Sequence, residues 1–220
     1  MKKILVVAAH PDDEILGCGG TLIKEIEEGN EVYCIILGKG MASRDTYTEA
    51  DKEILMVSCK SAGSLLGIKD TWIFDFPDNR YDSIPLLDLV KKIEAVKEVL
   101  KPQVVYTHFQ GDLNIDHKIT FKAVLTACRP TVNESVKEIY SFYTPSATEW
   151  GNNAFLPNMF VNVNKYIDKK MDILKCYFSE IKTDIHPRSI DGIRLLSSYY
   201  GTMIGVASAE PFIIIRKIVD

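Results

Sequence analysis

Apolar runs alternate with amphipathic stretches along most of this chain. Short runs that are apolar at every position predict buried strands, and stretches with apolar residues three or four positions apart predict helices. The predicted strands are residues 4–9, 32–37, 71–74, 104–107, 139–142, a short segment near Phe160, and 211–215. The predicted helices are residues 19–28, 51–66, 85–100, 119–127, 167–181 and 190–204.

The ends of three predicted helices carry residues that stop a helix. Gly29 and Gly67 follow two of them, and Pro102 follows a third. The periodicity also predicts which side chains face the core. In the helix at 51–66 they are Ile54, Leu55, Ser58, Ala62, Leu65 and Leu66, and in the helix at 85–100 they are Leu86, Leu89, Ile93, Val96 and Leu100.

Alternation of strand and helix, with strands apolar throughout, indicates an α/β fold. Its sheet is expected to be mostly parallel and covered by helices on both faces. At 220 residues, without a linker-like stretch, the chain is predicted to form a single domain. No internal repeat or low-complexity segment interrupts the pattern.

Composition narrows the class of protein. The chain has 26 basic and 30 acidic residues with no basic stripe, so a nucleic-acid partner is not expected. No apolar run approaches the ~20 residues of a membrane-spanning helix, and the first apolar run is too short for a signal peptide. Five widely spaced cysteines without a CxxC pair indicate reduced core residues. These features predict a soluble, cytoplasmic protein.

Two polar loops follow predicted strands. Residues 9–14, AHPDDE, come after the first strand, and residues 107–117, THFQGDLNIDH, continue from the fourth. Ligands of open α/β sheets bind at the carboxyl ends of the strands, so chemistry is expected in these two loops.

The two loops carry a set of zinc ligands. His10 and Asp13 follow one strand end and His117 arrives from the second loop, which supplies two imidazoles and one carboxylate. Such a site leaves a position for water, and Asp12 is then available as the general base. Asp116, beside His117, is either a partner that orients an imidazole or a surface acid.

Each loop alone also has a structural explanation. His-Pro-Asp at residues 10–12 is an ordinary helix entry, where acidic residues complement the helix dipole. Asp116 could cap the helix that contains Ile119, and residues 111–116 resemble a surface turn. Together, at the ends of two parallel strands, the loops favour a catalytic site.

The motif AHPDDEILGCGGTL, with a downstream Asp-His pair, resembles the LmbE-like, or PIG-L, N-acetylglucosaminyl deacetylase family over the whole chain. The resemblance implies a Rossmann-like α/β sheet and a hydrolase for N-acetyl sugars. It implies zinc ligands at His10, Asp13 and His117, and a general base at Asp12.

One position departs from that family. Many members have HPDH in the second loop, whose first His is the general acid or oxyanion stabiliser, whereas this chain has Asn114 there. An asparagine cannot act as an acid, but its amide can donate a hydrogen bond to an oxyanion. Either Asp12 returns its proton to the leaving amine, or His108 or His186 acts as the acid.

Candidate substrate contacts lie in other loops. Arg44 follows the second strand, where relatives place a sugar-binding Arg, and Asp78 follows the third, as a hydroxyl-binding acid would. Solvated surface charge explains either residue equally well. The aromatic residues Trp150, Tyr199 and Tyr200 could stack on a sugar ring, although core packing is the commoner role for such residues.

Two other classes of function compete with the deacetylase. Gly17, Gly19 and Gly20 after a strand suggest nucleotide binding, but their spacing is not GxGxxG and the second strand lacks a following acid. A two-metal phosphoesterase would need more ligands than these loops offer. The sequence therefore predicts a deacetylase with one zinc ion, a small N-acetylated amino sugar or conjugate as substrate, no membrane span, and compatibility with homo-oligomer formation.

Overall fold

The computed structural model describes residues 1–41, 43 and 45–219. The strands are β1 (Lys3–Ala8), β2 (Glu31–Gly38), β3 (Asp70–Phe76), β4 (Val104–Thr107), β5 (Glu138–Phe142), β6 (Met159–Asn162) and β7 (Ala209–Lys217). The helices are α1 (Asp13–Glu27), α2 (Glu49–Leu66), α3 (Leu86–Leu100), α4 (Ile115–Ala127), α5 (Ile167–Leu174) and α6 (Ile190–Met203). Short 3₁₀ turns occupy Tyr81–Ser83 and Lys175–Tyr177.

The described strands form one seven-stranded sheet in the order β3-β2-β1-β4-β5-β7-β6. The five strands from β3 to β5 are parallel, and β7 pairs antiparallel with both β5 and β6. The predicted α/β fold with a mostly parallel sheet is therefore confirmed. Strand order reverses between β1 and β4, where a ligand crevice forms in folds of this kind.

Helices cover both faces of the sheet, as predicted. On one face, the buried cluster includes Leu22 of α1, Leu55 of α2 and Met171 of α5. On the other face, Leu89 of α3 and Val124 of α4 pack against the sheet. β1 is the middle one of the five parallel strands, and its side chains from Ile4 to Ala8 are fully buried.

Local sequence explains where α2 begins and ends. The Thr48 hydroxyl accepts a hydrogen bond from the Asp51 backbone N–H at 3.2 Å, and the Asp51 carboxylate accepts from the Thr48 backbone N–H at 2.8 Å. This capping box satisfies two N–H groups at the helix start. Gly67, at φ 101°, ends the helix in the left-handed conformation, as its position in the sequence predicted.

Three predicted core positions are wrong. Ile54, Leu65 and Leu86 are 41%, 59% and 37% exposed, respectively. In α2, the buried face is a narrow stripe that follows Leu55 at intervals of three or four residues, and Ile54 and Leu65 flank it. Periodicity locates an apolar face but not the width of the contact that the rest of the fold supplies.

Two helix boundaries differ from the predictions by more than four residues. α1 begins at Asp13, six residues before the predicted start, and its backbone departs from helical geometry at Cys18, where φ is −143°. The kink breaks the apolar period, so the first turn could not be recognised by periodicity. At the other end of the chain, α5 ends at Leu174 and continues only as a 3₁₀ turn.

The cysteines and the helix lengths agree with the composition. All five cysteines are unpaired; Cys18, Cys34, Cys59 and Cys128 are buried, and Cys176 is half-buried. None of the helices in the described ranges is both long and apolar enough to cross a bilayer.

Close contact between α1 and the sheet depends on Gly17. A Cβ at this position would lie 2.3 to 2.8 Å from three ring carbons of Phe142 on β5. The glycine therefore lets the helix approach the aromatic ring without a side chain in between. Gly63 in α2 is different, because a Cβ there would meet its nearest neighbours, Ile68 and Thr71, at an ordinary 3.8 Å.

We expect Gly17→Ala to lower the free energy of unfolding by about 1–3 kcal/mol, because the added methyl group overpacks the contact with Phe142. Gly63→Ala is the matched control. It should leave stability unchanged or raise it by about 0.5–1 kcal/mol, since alanine favours the helix and fits the space. Urea unfolding of both variants measures the difference, and equal midpoints for the two would contradict this account.

A buried histidine and carboxylate cluster as the candidate active site

Two loops meet at the carboxyl edge of the sheet. β1 and β4 are parallel neighbours, with Val7 opposite Thr107, so the segments that follow them leave the sheet side by side. His10 through Asp13 follow β1, and residues 108–117 follow β4. This pairing brings His10, Asp13 and His117 together as the sequence predicted, with a ligand atom from each within 4.8 Å of the others.

The turn after β1 is conformationally unusual. Asp12 has φ 100°, in a region that favours glycine, and such a residue is held at a cost of about 1–3 kcal/mol. Asp13 closes the turn, because its Oδ2 accepts a hydrogen bond from the His10 backbone N–H at 2.9 Å. The backbone N–H groups of Ile15 and Leu16 both donate to the Asp12 carbonyl. The strained turn thus aims two successive carboxylates into the protein.

The His10 ring is oriented by Asp116. His10 Nε2 lies 2.9 Å from Asp116 Oδ2, and Asp116 is itself held by the backbone N–H groups of Asn79 at 2.6 Å and Tyr81 at 3.0 Å. Since the carboxylate can only accept, Nε2 donates in this hydrogen bond, and Nδ1 faces Asp13, 3.4 Å from its Oδ2. Burial alone would lower the pKa of His10, but its hydrogen bonds with these carboxylates raise it well above 6.5. Asp116 therefore orients an imidazole rather than lying on the surface.

Asp112 orients His117 in the same way. Its Oδ2 lies 2.9 Å from His117 Nδ1, and its Oδ1 accepts a hydrogen bond from the Thr148 hydroxyl at 2.6 Å. Because Nδ1 is the nitrogen bonded to Asp112, Nε2 is the one left to bind a metal, and it is 3.5 Å from Asp13 Oδ2. The sequence analysis did not select Asp112. It could have been recognised from the sequence by its position, five residues before the proposed ligand His117 in the same loop.

Two buried atoms in this cluster lack a hydrogen-bond partner among the described residues, and both belong to the group of His10, Asp13 and His117. They are Asp13 Oδ1 and His117 Nε2. Buried polar atoms without a partner are rare, and each has to be explained. A cation with two nitrogen ligands and one oxygen ligand would satisfy both atoms, so the donor set fits the metal that the family resemblance implies.

Two further groups of side chains are close enough to hold a cation, but each contains a ligand atom that already accepts a hydrogen bond. In the group of His108, Asp112 and His117, His108 Nε2 accepts the Ala9 backbone N–H at 2.9 Å. In the group of His10, Asp78 and Asp116, the Asp78 carboxylate accepts two hydrogen bonds from Ser43. The group of His10, Asp13 and His117, which contains both atoms without a hydrogen-bond partner, is therefore the best candidate for a metal site.

Asp12 is buried beside the cluster and paired with an arginine that the sequence analysis missed. Its side chain is 3% exposed, and its Oδ2 lies 3.1 Å from Nη1 of Arg188. Burial raises the pKa of Asp12 well above 3.8, and the Arg188 charge opposes that rise. Arg188 lies in the HPRS segment before α6, and no spacing in the sequence connects it with residues 10–13.

The other predicted site residues lie around this centre at different depths. Asn114 is half-buried and caps α4, since its Oδ1 accepts the Asp116 backbone N–H at 2.8 Å. Asp78 is buried; burial raises its pKa, but hydrogen bonds from His10 and Ser43 outweigh this and lower it to about 2. Arg44 lies outside the described residues.

The two remaining histidines differ in position: His108 contacts the cluster, and His186 packs against Trp150. His108 is fully buried and stacks on His117 with ring centres 3.8 Å apart. Both of its nitrogens have partners, the second being Thr144, and burial lowers its pKa well below 6.5. His186 instead lies at the surface, where its ring meets Trp150 edge to face at 5.4 Å.

A groove of about 1170 Å³ runs beside the cluster rather than over it. It is lined by His186, the neighbouring loop and one face of α6, where Leu195 and Tyr199 are exposed. Tyr200, by contrast, is buried against Tyr143. Pro187 and Ser189, which flank Arg188 in the chain, both line this groove, so it begins next to the Asp12 side of the cluster.

A family profile described as "PIG-L: GlcNAc-PI de-N-acetylase" matches residues 5–128, more than half of the chain. "Uncharacterized deacetylase YaiS" of Escherichia coli K12 is 29% identical over 183 residues, covering 79% of this chain and 89% of the relative. The diacetylchitobiose deacetylase of Thermococcus kodakarensis is 25% identical over 231 residues, covering 96% of this chain and 82% of the relative.

The fold also resembles that of GalB, the 4-carboxy-2-hydroxymuconate hydratase of Pseudomonas putida KT2440. Its structure superposes with a TM-score of 0.80 at 19% identity, covering 100% of this chain and 98% of the other. At that identity, the likeness concerns the fold alone. One fold thus carries a hydratase as well as deacetylases, and the function has to be argued from the site.

Glu14, behind the cluster, provides a test of its electrostatics. Its carboxylate accepts hydrogen bonds from the Tyr177 hydroxyl at 2.6 Å and the Asp12 backbone N–H at 3.1 Å, and burial raises its pKa from 4.5 to about 7. The folded protein holds the Glu14 proton more tightly than the unfolded chain does. The contribution of Glu14 to the free energy of unfolding should therefore decrease as pH rises from 4.5 to 7. Glu14→Gln should remove this pH dependence. Between pH 4.5 and 7 its free energy of unfolding should rise relative to that of wild type, by up to about 3 kcal/mol.

The measurement is urea unfolding of the metal-free proteins from pH 4.5 to 8, with the exposed exchange Glu53→Gln as control. If the difference in free energy of unfolding between Glu14→Gln and wild type stays constant over this interval, Glu14 does not have a raised pKa in the folded protein.

Proposed function

The chain belongs to the PIG-L family of de-N-acetylases, and on this premise we propose that it is a zinc-dependent hydrolase for the N-acetyl group of an amino sugar or its conjugate. As a member of this family the protein is an amidohydrolase. The proposal rests on one observation above all: two buried atoms without a hydrogen-bond partner, Asp13 Oδ1 and His117 Nε2, belong to residues that, with His10, bring one ligand atom each to within 4.8 Å of the others.

His10, Asp13 and His117 would hold the zinc ion in this proposal. When bound, zinc polarises a carbonyl group and lowers the pKa of water to about 7. Asp116 and Asp112 would keep the two metal-bound imidazoles in the right orientation, because each carboxylate accepts a hydrogen bond from the ring nitrogen opposite the one that faces the metal position.

Asp12 is the proposed general base. Its carboxylate is buried next to ligand Asp13, where it can take a proton from water as the oxygen attacks the amide carbon. The bond between that carbon and the sugar nitrogen then breaks, and Asp12 returns the proton to the leaving amine. The products are acetate and the free amino sugar, and the carboxylate is restored for the next cycle.

Asn114 is the proposed hydrogen-bond donor to the oxyanion. Its Oδ1 is used in capping α4, which leaves the amide N–H groups for the substrate. His108 is less suited to proton donation, because it is fully enclosed and its ring nitrogens are occupied. The one-carboxylate scheme, with Asp12 as base and then acid, therefore fits these residues best.

Asp78 and the groove are the proposed contacts for the rest of the substrate. Asp78 is ionised at neutral pH and its Oδ1 lies 3.2 Å from His10 Nε2, so its carboxylate would accept a sugar hydroxyl beside the metal position in place of one of its present donors. His186 lines the groove in which the group attached to the sugar would lie. Phosphoesterase chemistry is less well supported, because each of the two other candidate cation groups contains a ligand atom that already accepts a hydrogen bond.

The direct test is to incubate the zinc-loaded protein with a panel of N-acetylglucosamine conjugates and to measure released acetate, with p-nitrophenyl phosphate as the competing substrate. Acetate release that stops on chelation and returns with one zinc per chain supports the proposal. Phosphate release with two metals per chain would support the phosphoesterase instead.

Asp12→Asn should keep zinc and lower kcat by about 10²–10⁴-fold, since it removes the base but no ligand. Asp13→Ala should lose the metal itself, and the exposed Asp172→Ala is the control for removing a carboxylate. Metal content and acetate release are measured on the same samples. Loss of zinc from Asp12→Asn, with activity restored by excess metal, would place Asp12 among the ligands.

Asn114→Ser should keep the helix cap but lower kcat by about 10²–10³-fold, because serine can cap α4 yet lacks the amide donor. Asn114→His should be tolerated. His108→Ala and His186→Ala are measured beside these variants. Full activity of Asn114→Ser, together with loss of the basic limb of the pH–rate profile in either histidine variant, would show that a histidine is the acid.

A further inference from the structure

We propose that Arg188 is a positioning residue that holds the Asp12 carboxylate in the orientation needed for proton transfer. This inference rests on the proposed function and deepens it, because it concerns the residue that sets the geometry of the base. Arg188 reaches the site from the loop before α6, far along the chain from both motif loops.

The guanidinium group lies against the two carboxylates that follow β1. Nη1 is 3.1 Å from Asp12 Oδ2, and Nη2 is 3.9 Å from Asp13 Oδ1. Nη1 is also 3.9 Å from Glu180 Oε2, and Nε donates to the Pro145 carbonyl at 3.4 Å. Within the described part of the chain, Arg188 is the lysine or arginine that forms ion pairs with Asp12 and Asp13.

The backbone around Arg188 is fixed on both sides. Its own N–H donates to His186 Nδ1 at 3.0 Å, and its carbonyl accepts the Lys182 backbone N–H. Ser189 caps α6 through the Gly192 N–H at 3.0 Å. Hydrogen bonds in the turn before Arg188 and at the start of α6 after it therefore fix the backbone that carries the guanidinium group.

The contact selects which oxygen of Asp12 faces the reaction. Arg188 engages Oδ2, so Oδ1 is the oxygen left to take the proton from water. Without a cation, the Asp12 side chain would be repelled by the adjacent carboxylate of Asp13 and could turn away from the metal position. Arg188 remains charged at any working pH, so it holds the carboxylate without competing for the proton.

The ion pair of Arg188 and Asp12 is more buried than the nearby ion pair of Arg194 and Asp168, which joins α6 to α5. The Arg188 and Asp12 side chains are 19% and 3% exposed, whereas those of Arg194 and Asp168 are 43% and 81% exposed. Arg194 also pairs closely, with Nη2 at 2.7 Å from Asp168 Oδ1. Exposed pairs of this kind contribute little to stability, so Arg194 provides a matched arginine without a part in the site.

The experiment compares Arg188→Ala, Arg188→Lys and the control Arg194→Ala by kcat, KM, zinc content and thermal unfolding. We expect Arg188→Ala to lower kcat by about 10²-fold with KM changed much less, since misplacement of a catalytic group affects the chemical step. Zinc content should stay at one per chain. Millimolar guanidinium should restore part of the kcat of Arg188→Ala, and methylammonium should restore less. Arg188→Lys should lie between Arg188→Ala and wild type.

A crystal structure of metal-free Arg188→Ala supplies a readout that does not depend on activity. The Asp12 carboxylate should leave the position it has in wild type. Retention of that position, or a kcat within about threefold of wild type, would overturn the inference. A loss of kcat that guanidinium does not restore and that Arg194→Ala shares would overturn it as well. Wild-type protein that releases no acetate would count against the proposed function, while the Asp12 position would still test the contact.

Discussion

The parallel pairing of β1 between β2 and β4 is the constraint on which the candidate site depends. Because β1 and β4 run in the same direction, their carboxyl ends deliver the two polar loops to one point at the edge of the sheet. The strand order reverses at this pair, so neither following helix fills the space between the loops. Complete burial of β1 anchors the turn that carries His10 and Asp13.

Around this point, a dense group of carboxylates is kept together by donors that are specific to each one. Asp116 is held by two backbone N–H groups and the His10 ring, and Asp112 by Thr148 and His117. Burial of so many acids is unfavourable unless each is paired or bound to a cation. Within the described part of the chain, Asp13 Oδ1 and His117 Nε2 are the two atoms of this group that lack a hydrogen-bond partner, so a metal bound there would stabilise the group.

Sequence reasoning succeeded where a local pattern determines the outcome. The alternation of apolar runs and helices predicted the mostly parallel sheet, and the two strand-end loops predicted that His10, Asp13 and His117 would meet. It failed where the answer depends on distant parts of the chain. Ile54 and Leu65 are exposed because the surrounding fold covers only a narrow stripe of α2. Arg188 was missed because only the folded chain brings it to Asp12.

The central claim is that one metal ion is bound by His10, Asp13 and His117. A crystal structure of the zinc-loaded protein, with anomalous data collected at the zinc edge, measures this most directly. The account predicts one anomalous peak per chain, about 2.0–2.2 Å from His10 Nδ1, a carboxylate oxygen of Asp13 and His117 Nε2. A peak between His108 and Asp112, a peak between Asp78 and Asp116, or two peaks in this region would contradict it.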